Sequence, residues 1–297
     1  LLQSAAMVPS LAANNQRAID VFRTVTTLGY QLDPNYASLF DGSNERSPEV
    51  IWSLQNVRVV GAGGTLTQWF VPVTSPAVFA PSQQNQFQAE RPFYDSYNAS
   101  DVRRAGTWFT TLSVGTRTVN WAWTSGIQAA TQYGSTGPVP RKFVDLGAAA
   151  TGAEGIDYPM LRYADVLLSL AEAINEVQGP NAEAYGLVNQ VRARARVPSL
   201  TPGLSRQAFK DSLFAERRFE LALEMHGVFD SRRHWEWAKG RVEANMAQIA
   251  TLNRTPFTSS VEKFDARPIP DKWRLYPIPS RACELNAELV QNPGWTD

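Results

Sequence analysis

Residues 161–195 carry two helical periods in succession, parted only by Gly179-Pro180. In LRYADVLLSLAEAINEVQ (161–178), Leu161, Ala164, Leu168, Ala171 and Ile174 or Asn175 recur every three or four residues, the mark of one buried helical face. Gly179-Pro180 closes that helix, because proline cannot continue it and glycine accepts the turn past its end. NAEAYGLVNQVRARA (181–195) starts a second helix at once. So short a connection makes the pair an antiparallel hairpin, about one tetratricopeptide unit long. Its small residues Ala164, Ala171 and Ala184 let the two helices approach closely. A third helical stretch, SRQAFKDSLFAERRFELALEMHGVFDSRRHWEWAKG (205–240), is expected to bend near Gly227. This block makes the second half of the chain helical, with one tetratricopeptide-like hairpin.

The remainder reads differently. Residues 1–140 hold 8 acids and 8 bases, and residues 141–297 hold 20 of each. Five of the nine tryptophans fall in the first part. The expected organisation is a helical start (1–40), a loop-rich part with short strands (41–157), the helical core (158–240) and an irregular, proline-rich tail (241–297). In the start, residues 14–28 place Ile19, Phe22, Val25 and Thr26 at helical spacing, and Gly29 ends the helix. EVIWSLQ (49–55) is β-prone, and TVNWAWT (118–124) alternates so that Val119, Trp121 and Trp123 share one strand face. Pro268, Pro270, Pro277 and Pro279 forbid a long helix in the tail.

Several chemistries are unsupported. Net charge is zero, so no overall field steers the chain to nucleic acid. The single cysteine, Cys283, excludes a cysteine-type zinc site, and His226 and His234 fit no metal-binding spacing. There is no G-x-S-x-G elbow, and GAGG (61–64) lacks the lysine of a phosphate loop. Asp41-Gly-Ser-Asn-Glu45 offers oxygen ligands to calcium, but without the other positions of an EF-hand loop a local Asx turn is the expectation. No cofactor and no metal are expected. No stretch approaches the ~18–20 apolar residues of a membrane helix. LLQSAAMVPSLAANNQ, at the start, lacks the basic residues of a signal peptide. The protein is therefore cytosolic, or the sequence begins inside a longer precursor.

Two features are candidates for function. In AERRFELALEMHG (215–227), Glu216, Glu220 and Glu224 recur every fourth residue, which on a helix stacks three carboxylates ~6 Å apart. That spacing suits the two carboxylates of a glycosidase, ~5–10 Å apart. The apolar flanks Phe219, Leu221, Leu223 and Met225 and the neighbouring Arg217 and Arg218 argue instead for a structural ion-pair network, in which Arg162 joins Glu216, Arg217 and Glu220 and locks the third helix to the hairpin. Glu224 is the least certain member. The second feature is a set of aromatics in weakly charged, loop-like sequence. Trp69, Phe79, Tyr94 and Tyr97 are the candidate ligand contacts, because a ring in a loop offers a flat apolar face to the C–H face of a sugar or to a peptide side chain. Asn85, Gln86 and Asn98 are candidate hydrogen-bonding groups beside them.

YPMLRYADVLLSLAEAINE, LVNQVRARA, FAERRFELALEMHGVFDSRRHWEW, LYPIP and QNPGW, in that order, closely resemble the C-terminal half of the SusD/RagB family. LGYQLDPNYASLF, EVIWSLQ and the D-x-R-R of Asp101 to Arg104 agree upstream. The resemblance implies a mainly α fold with a tetratricopeptide-like helical hairpin core and a loop-rich, ligand-binding region carrying short β-strands, in a non-catalytic, cell-surface protein of the outer membrane. Such a protein captures a glycan or other nutrient and sits as a lid on a SusC-like TonB-dependent transporter. It also implies that the sequence is the C-terminal portion of a longer lipoprotein, whose export signal, lipidated cysteine and earlier hairpins lie upstream. On that reading the helix at 14–28 packs on elements outside this sequence. The rival readings are a helical glycoside hydrolase using Glu216 and Glu220, and a tetratricopeptide adaptor for peptides.

Overall fold

The computed structural model describes residues 1–7, 9–70, 87, 89–114, 117–120, 137–150, 153–251 and 268–295. Phe79, Asn85, Gln86, Trp121 and Trp123 lie outside the described residues. The helices are α1 (Leu2–Met7), α2 (Asn14–Thr26), α3 (Leu66–Phe70), α4 (Arg91–Asp95), α5 (Val102–Thr107), α6 (Tyr163–Gln178), α7 (Ala182–Arg194), α8 (Arg206–Glu220), α9 (Gly227–Arg233), α10 (Trp235–Thr251) and α11 (Ser280–Leu285). The strands are short: β1 (Val50–Leu54), β2 (Trp108–Phe109), β3 (Thr111–Val114), β4 (Arg117–Asn120), β5 (Val139–Pro140) and β6 (Tyr158–Arg162). They pair antiparallel as β1 with β6, β2 with β5 and β3 with β4. The fold is mainly α with short strands, as the sequence implies.

The core is built around α6, which is buried on every side from Tyr163 to Asn175 except at half-buried Asp165. Its small residues Ala164 and Ala171, with Ala184 of α7, are fully buried and let the hairpin close. Phe209 and Leu213 of α8 pack on the same cluster. So do Ala18 and Ile19 of α2. The helix at 14–28 thus finds its partner inside this chain, because α6 is apolar on more than one face. Val21 and Leu28 remain exposed. The helix expected from residue 161 begins at Tyr163, since the preceding residues are drawn into β6, where Leu161 pairs with Trp52 of β1.

Two boundaries differ from the sequence reading. The stretch at 205–240 breaks at Leu221, six residues before Gly227, and resumes as α9 and α10. Within the break, Leu223 and Met225 take left-handed backbone angles (φ +68° and +63°). Residues 241–251, expected to be irregular, continue α10, because the first proline of the tail is Pro256. Asp41 forms a local turn, its carboxylate accepting from the backbone N–H and the hydroxyl of Ser43.

A second cluster, of Tyr36, Phe40, Val139, Phe143 and Tyr158, lies under the break after α8. A third holds Ala89, Tyr97 and Trp108, with Phe93, Tyr94, Phe219 and Leu223 packed against it.

Candidate functional site

The acid row is interior. Glu216 and Glu220 on α8 are buried, with side chains 1% and 0% exposed. Arg103 of α5 donates to Glu216 at 2.5 Å and to Glu220 at 3.1 Å. Asp101 caps α5 through the Arg103 N–H and grips the same guanidinium with both oxygens, at 2.9 and 2.8 Å. Arg192 of α7 reaches Glu216 at 2.6 Å. Glu220 also receives Arg162, at 2.6 Å, and Arg194. Glu49, just before β1, accepts from those same two arginines at 2.6 and 3.0 Å. Burial works against ionisation of Glu220, but Arg194, Arg162 and Arg103 outweigh it and hold its carboxyl well below the usual range. A carboxylate so held cannot serve as a general acid, and neither Glu216 nor Glu220 has access to a substrate.

Arg217 points the other way on α8. It pairs with Asp165 of α6 and Asp230 of α9, both at 2.8 Å, and so joins the network's purpose but not its members. Glu224 lies beyond the end of α8, so the expected stacking of three carboxylates on one helix face stops at Glu220. It is nonetheless buried and bound, at 2.6 Å each, to Lys142 and Arg162. Burial opposes its charge, and Arg162 and Lys142 overcome that, so its carboxyl is held down. Burial lowers Lys142 to about 8 against the pull of Glu224.

This network shapes the break after α8. The Glu220 carbonyl accepts from Tyr36 at 2.9 Å, Arg162 at 2.7 Å and Lys142 at 3.3 Å. The Ala222 carbonyl accepts from Lys142 at 2.9 Å. Carbonyls engaged this way satisfy the end of α8 without another helical turn. Of the residues so displaced, Leu221, Ala222, Leu223 and Met225 form one wall of an open cavity of about 760 Å³. Trp69, Phe70, Phe87, Phe93 and Trp108 line it opposite, with Arg218 and Asp230 as polar members. Trp69 and Phe70 reach it from α3, whose first N–H groups, those of Leu66 and Thr67, are held by the Glu154 carboxylate. Phe93 stacks on Phe219 at 5.7 Å and lies under the Arg218 guanidinium at 4.6 Å. Burial, with Arg241 nearby, lowers Arg218 to about 10.

The sequence-selected aromatics separate. Trp69 is exposed at the cavity. Tyr94 is half-buried on α4, its ring beneath the Arg104 guanidinium at 5.7 Å, and does not line the cavity. Tyr97 is 4% exposed and packs on Phe219 at 4.6 Å, so it braces the wall and offers no face to a ligand. Its hydroxyl and the Trp108 indole N–H are buried with no hydrogen-bond partner among the described residues. Asn98 uses its side-chain oxygen to hold the turn at Ser100. Sequence reasoning missed Arg103, Lys142, Arg192, Arg194 and Glu49 as network members, and it did not select Phe70, Phe93 and Trp108 from the loop-region aromatics as ligand contacts, although they line the cavity. The signal for Glu49 was available, since it abuts the apolar run VIWSL.

Among the described residues, no helix is long and apolar enough to cross a membrane. The chain is similar to SusD-like protein P2 of Formosa agariphila, 24% identical over 245 residues covering 78% of this chain and 46% of the relative. SusD-like protein P25 of the same organism is 27% identical over 237 residues, covering 66% and 41%. The chain thus spans about half the length of the curated relatives it matches. Its fold is similar to that of a SusD homolog from Bacteroides thetaiotaomicron (TM-score 0.77, 23% identity, 99% of this chain and 62% of that one). It is also similar to surface glycan-binding protein A from Bacteroides uniformis (TM-score 0.66, 19% identity, 97% and 59%). Residues 26–295 match the model of the SusD family, and the chain, with its helical hairpin locked by buried arginines, belongs to that family.

Proposed function

We propose that this chain is part of a non-catalytic glycan receptor of the outer-membrane surface. It would hand its ligand to a SusC-like TonB-dependent transporter. The observation that carries the reading is the aromatic-lined cavity beside Trp69. Rings with a few polar groups at the edge suit the alternating C–H faces and hydroxyls of a saccharide. The burial of Glu216 and Glu220 favours binding over hydrolysis, and a structural relative named a surface glycan-binding protein supports the ligand class.

Calorimetric titration across a panel of neutral oligosaccharides tests it. Trp69→Ala is expected to weaken the best ligand by roughly three- to tenfold, the worth of one aromatic contact (about 0.5–1.5 kcal/mol). Unchanged affinity in a folded Trp69→Ala variant would remove the cavity as the glycan site. Retention of a TonB-dependent transporter on the tagged full-length protein, extracted from outer membranes, checks the partner.

A further inference from the structure

A second groove lies at the far end of α8. Two adjoining clefts, of about 420 and 480 Å³, share Trp235, Glu236 and Arg274. Gln207 and Asp211 of α8 border one; Asp271 and Lys272 of the tail border the other. Along α8, Gln207 and Arg218 are roughly 16 Å apart at 1.5 Å per residue, so this groove is separate from the aromatic cavity.

Most charges around it are already committed. Arg233 is held by both oxygens of Glu172, at 2.9 and 2.8 Å, and by Asp230. His234 pairs with Asp211 at 2.7 Å and stacks on Trp237. Lys239 and the Trp235 indole N–H hold Asp271, at 2.7 and 3.1 Å. Lys272 covers the Trp295 ring at 4.5 Å. Arg274 is different. It is half-buried where the two clefts meet, and its Nε is shielded from solvent with no hydrogen-bond partner among the described residues. No ion pair or ring contact with another described residue engages its guanidinium either. A planar fork of N–H donors in this setting suits bidentate pairing with an oxyanion such as a carboxylate. Beside it, the indole of Trp235 is fixed by its bond to Asp271 and gives the groove a flat wall. Exposed Glu236 can accept from hydroxyls.

We propose that this groove is a second saccharide site, selective for a uronic-acid residue whose carboxylate pairs with Arg274 and whose ring lies along Trp235. The proposal does not depend on the ligand of the aromatic cavity. Calorimetric titration of the chain with trigalacturonate, with its methyl ester and with oligosaccharides bearing glucuronate or mannuronate tests it. At least one uronate is expected to bind, with its ester weaker by roughly tenfold or more, the loss of one charge-assisted pair. Arg274→Gln should abolish the difference between acid and ester, and Arg274→Lys should restore part of it. Both variants should keep the parent melting temperature, since Arg274 pairs with no other described residue, and Trp69→Ala should leave uronate binding unchanged. Absence of binding across the uronate panel, equal affinity for acid and ester, or unchanged affinity in Arg274→Gln overturns the proposal. An acidic tetrapeptide that competes with equal affinity overturns the saccharide class. Loss of uronate binding in Trp69→Ala with no effect of Arg274→Gln would place the uronate in the aromatic cavity and overturn the second site alone.

Discussion

Glu220 meets Arg103, Arg162 and Arg194 with no exposure to solvent, so its charge is stable only while all three remain. Glu220→Gln leaves buried guanidiniums short of an anion and is expected to cost ~3–5 kcal/mol in chemical denaturation. Arg23→Ala removes an exposed pair with Glu183 and should cost no more than ~1 kcal/mol. A loss of similar size in both variants would refute the strut. Tyr97 supplies a contrary case. Its hydroxyl is buried beside Trp108 and Thr107 without a hydrogen bond of normal geometry, so Tyr97→Phe should change stability by no more than ~1 kcal/mol. A clear fall in the denaturation midpoint would mean that the hydroxyl is satisfied. The burial of Glu216 and Glu220 was legible in their apolar flanks. Their partner Arg103 was not, because it lies 113 and 117 residues away in sequence.

At the level of elements, the break between α8 and α9 decides most. Periodicity alone runs through residues 205–240 without a stop, since Leu221, Leu223 and Met225 are all apolar and none is a helix breaker. The interruption comes from Lys142, Arg162 and Tyr36, which take the carbonyls at the helix end. The left-handed backbone at Met225 costs a non-glycine residue ~1–2 kcal/mol. Met225 is 71% exposed and loses little packing when shortened. Met225→Gly is therefore expected to stabilise the chain by about 1 kcal/mol, read from the denaturation midpoint. Destabilisation instead would show that the side chain contributes more packing than its exposure suggests. α2 teaches the same lesson from the other side: its extent was evident in the sequence, whereas its partner, α6, was not.

For the molecule as a whole, the buried network predicts how stability responds to acid. Glu220, Glu224 and Asp165 all have folded carboxyls held below their ordinary values of 4.5, 4.5 and 3.8, Asp165 at about 2. Below those ordinary values the unfolded chain binds protons that the folded chain does not. Their stabilisation is thus complete above about pH 5 and is lost as pH falls through 4.5 and below. Glu154, raised by burial, works in the opposite direction, but Asp145 and Glu183 are lowered as well and add to the loss. These carboxylates should therefore make the melting temperature fall steeply below pH 4.5, with a shallower fall in Glu220→Gln. A melting temperature independent of pH from 6 to 3 would contradict a charged interior.

The sequence by itself determined the helical hairpin at 161–195, the helix at 14–28, the inward turn of Glu216 and Glu220 and the resemblance to the SusD family. These rest on local periodicity and on the order of short segments, which are properties of neighbours in the chain. Only the tertiary structure decided where α8 ends, which arginine serves which carboxylate, and which aromatic faces a cavity. Those outcomes depend on groups brought together from distant positions. Trp69 and Tyr97 are alike as loop-region aromatics in the sequence, yet packing against Phe219 buries one while the end of α3 leaves the other open at the cavity.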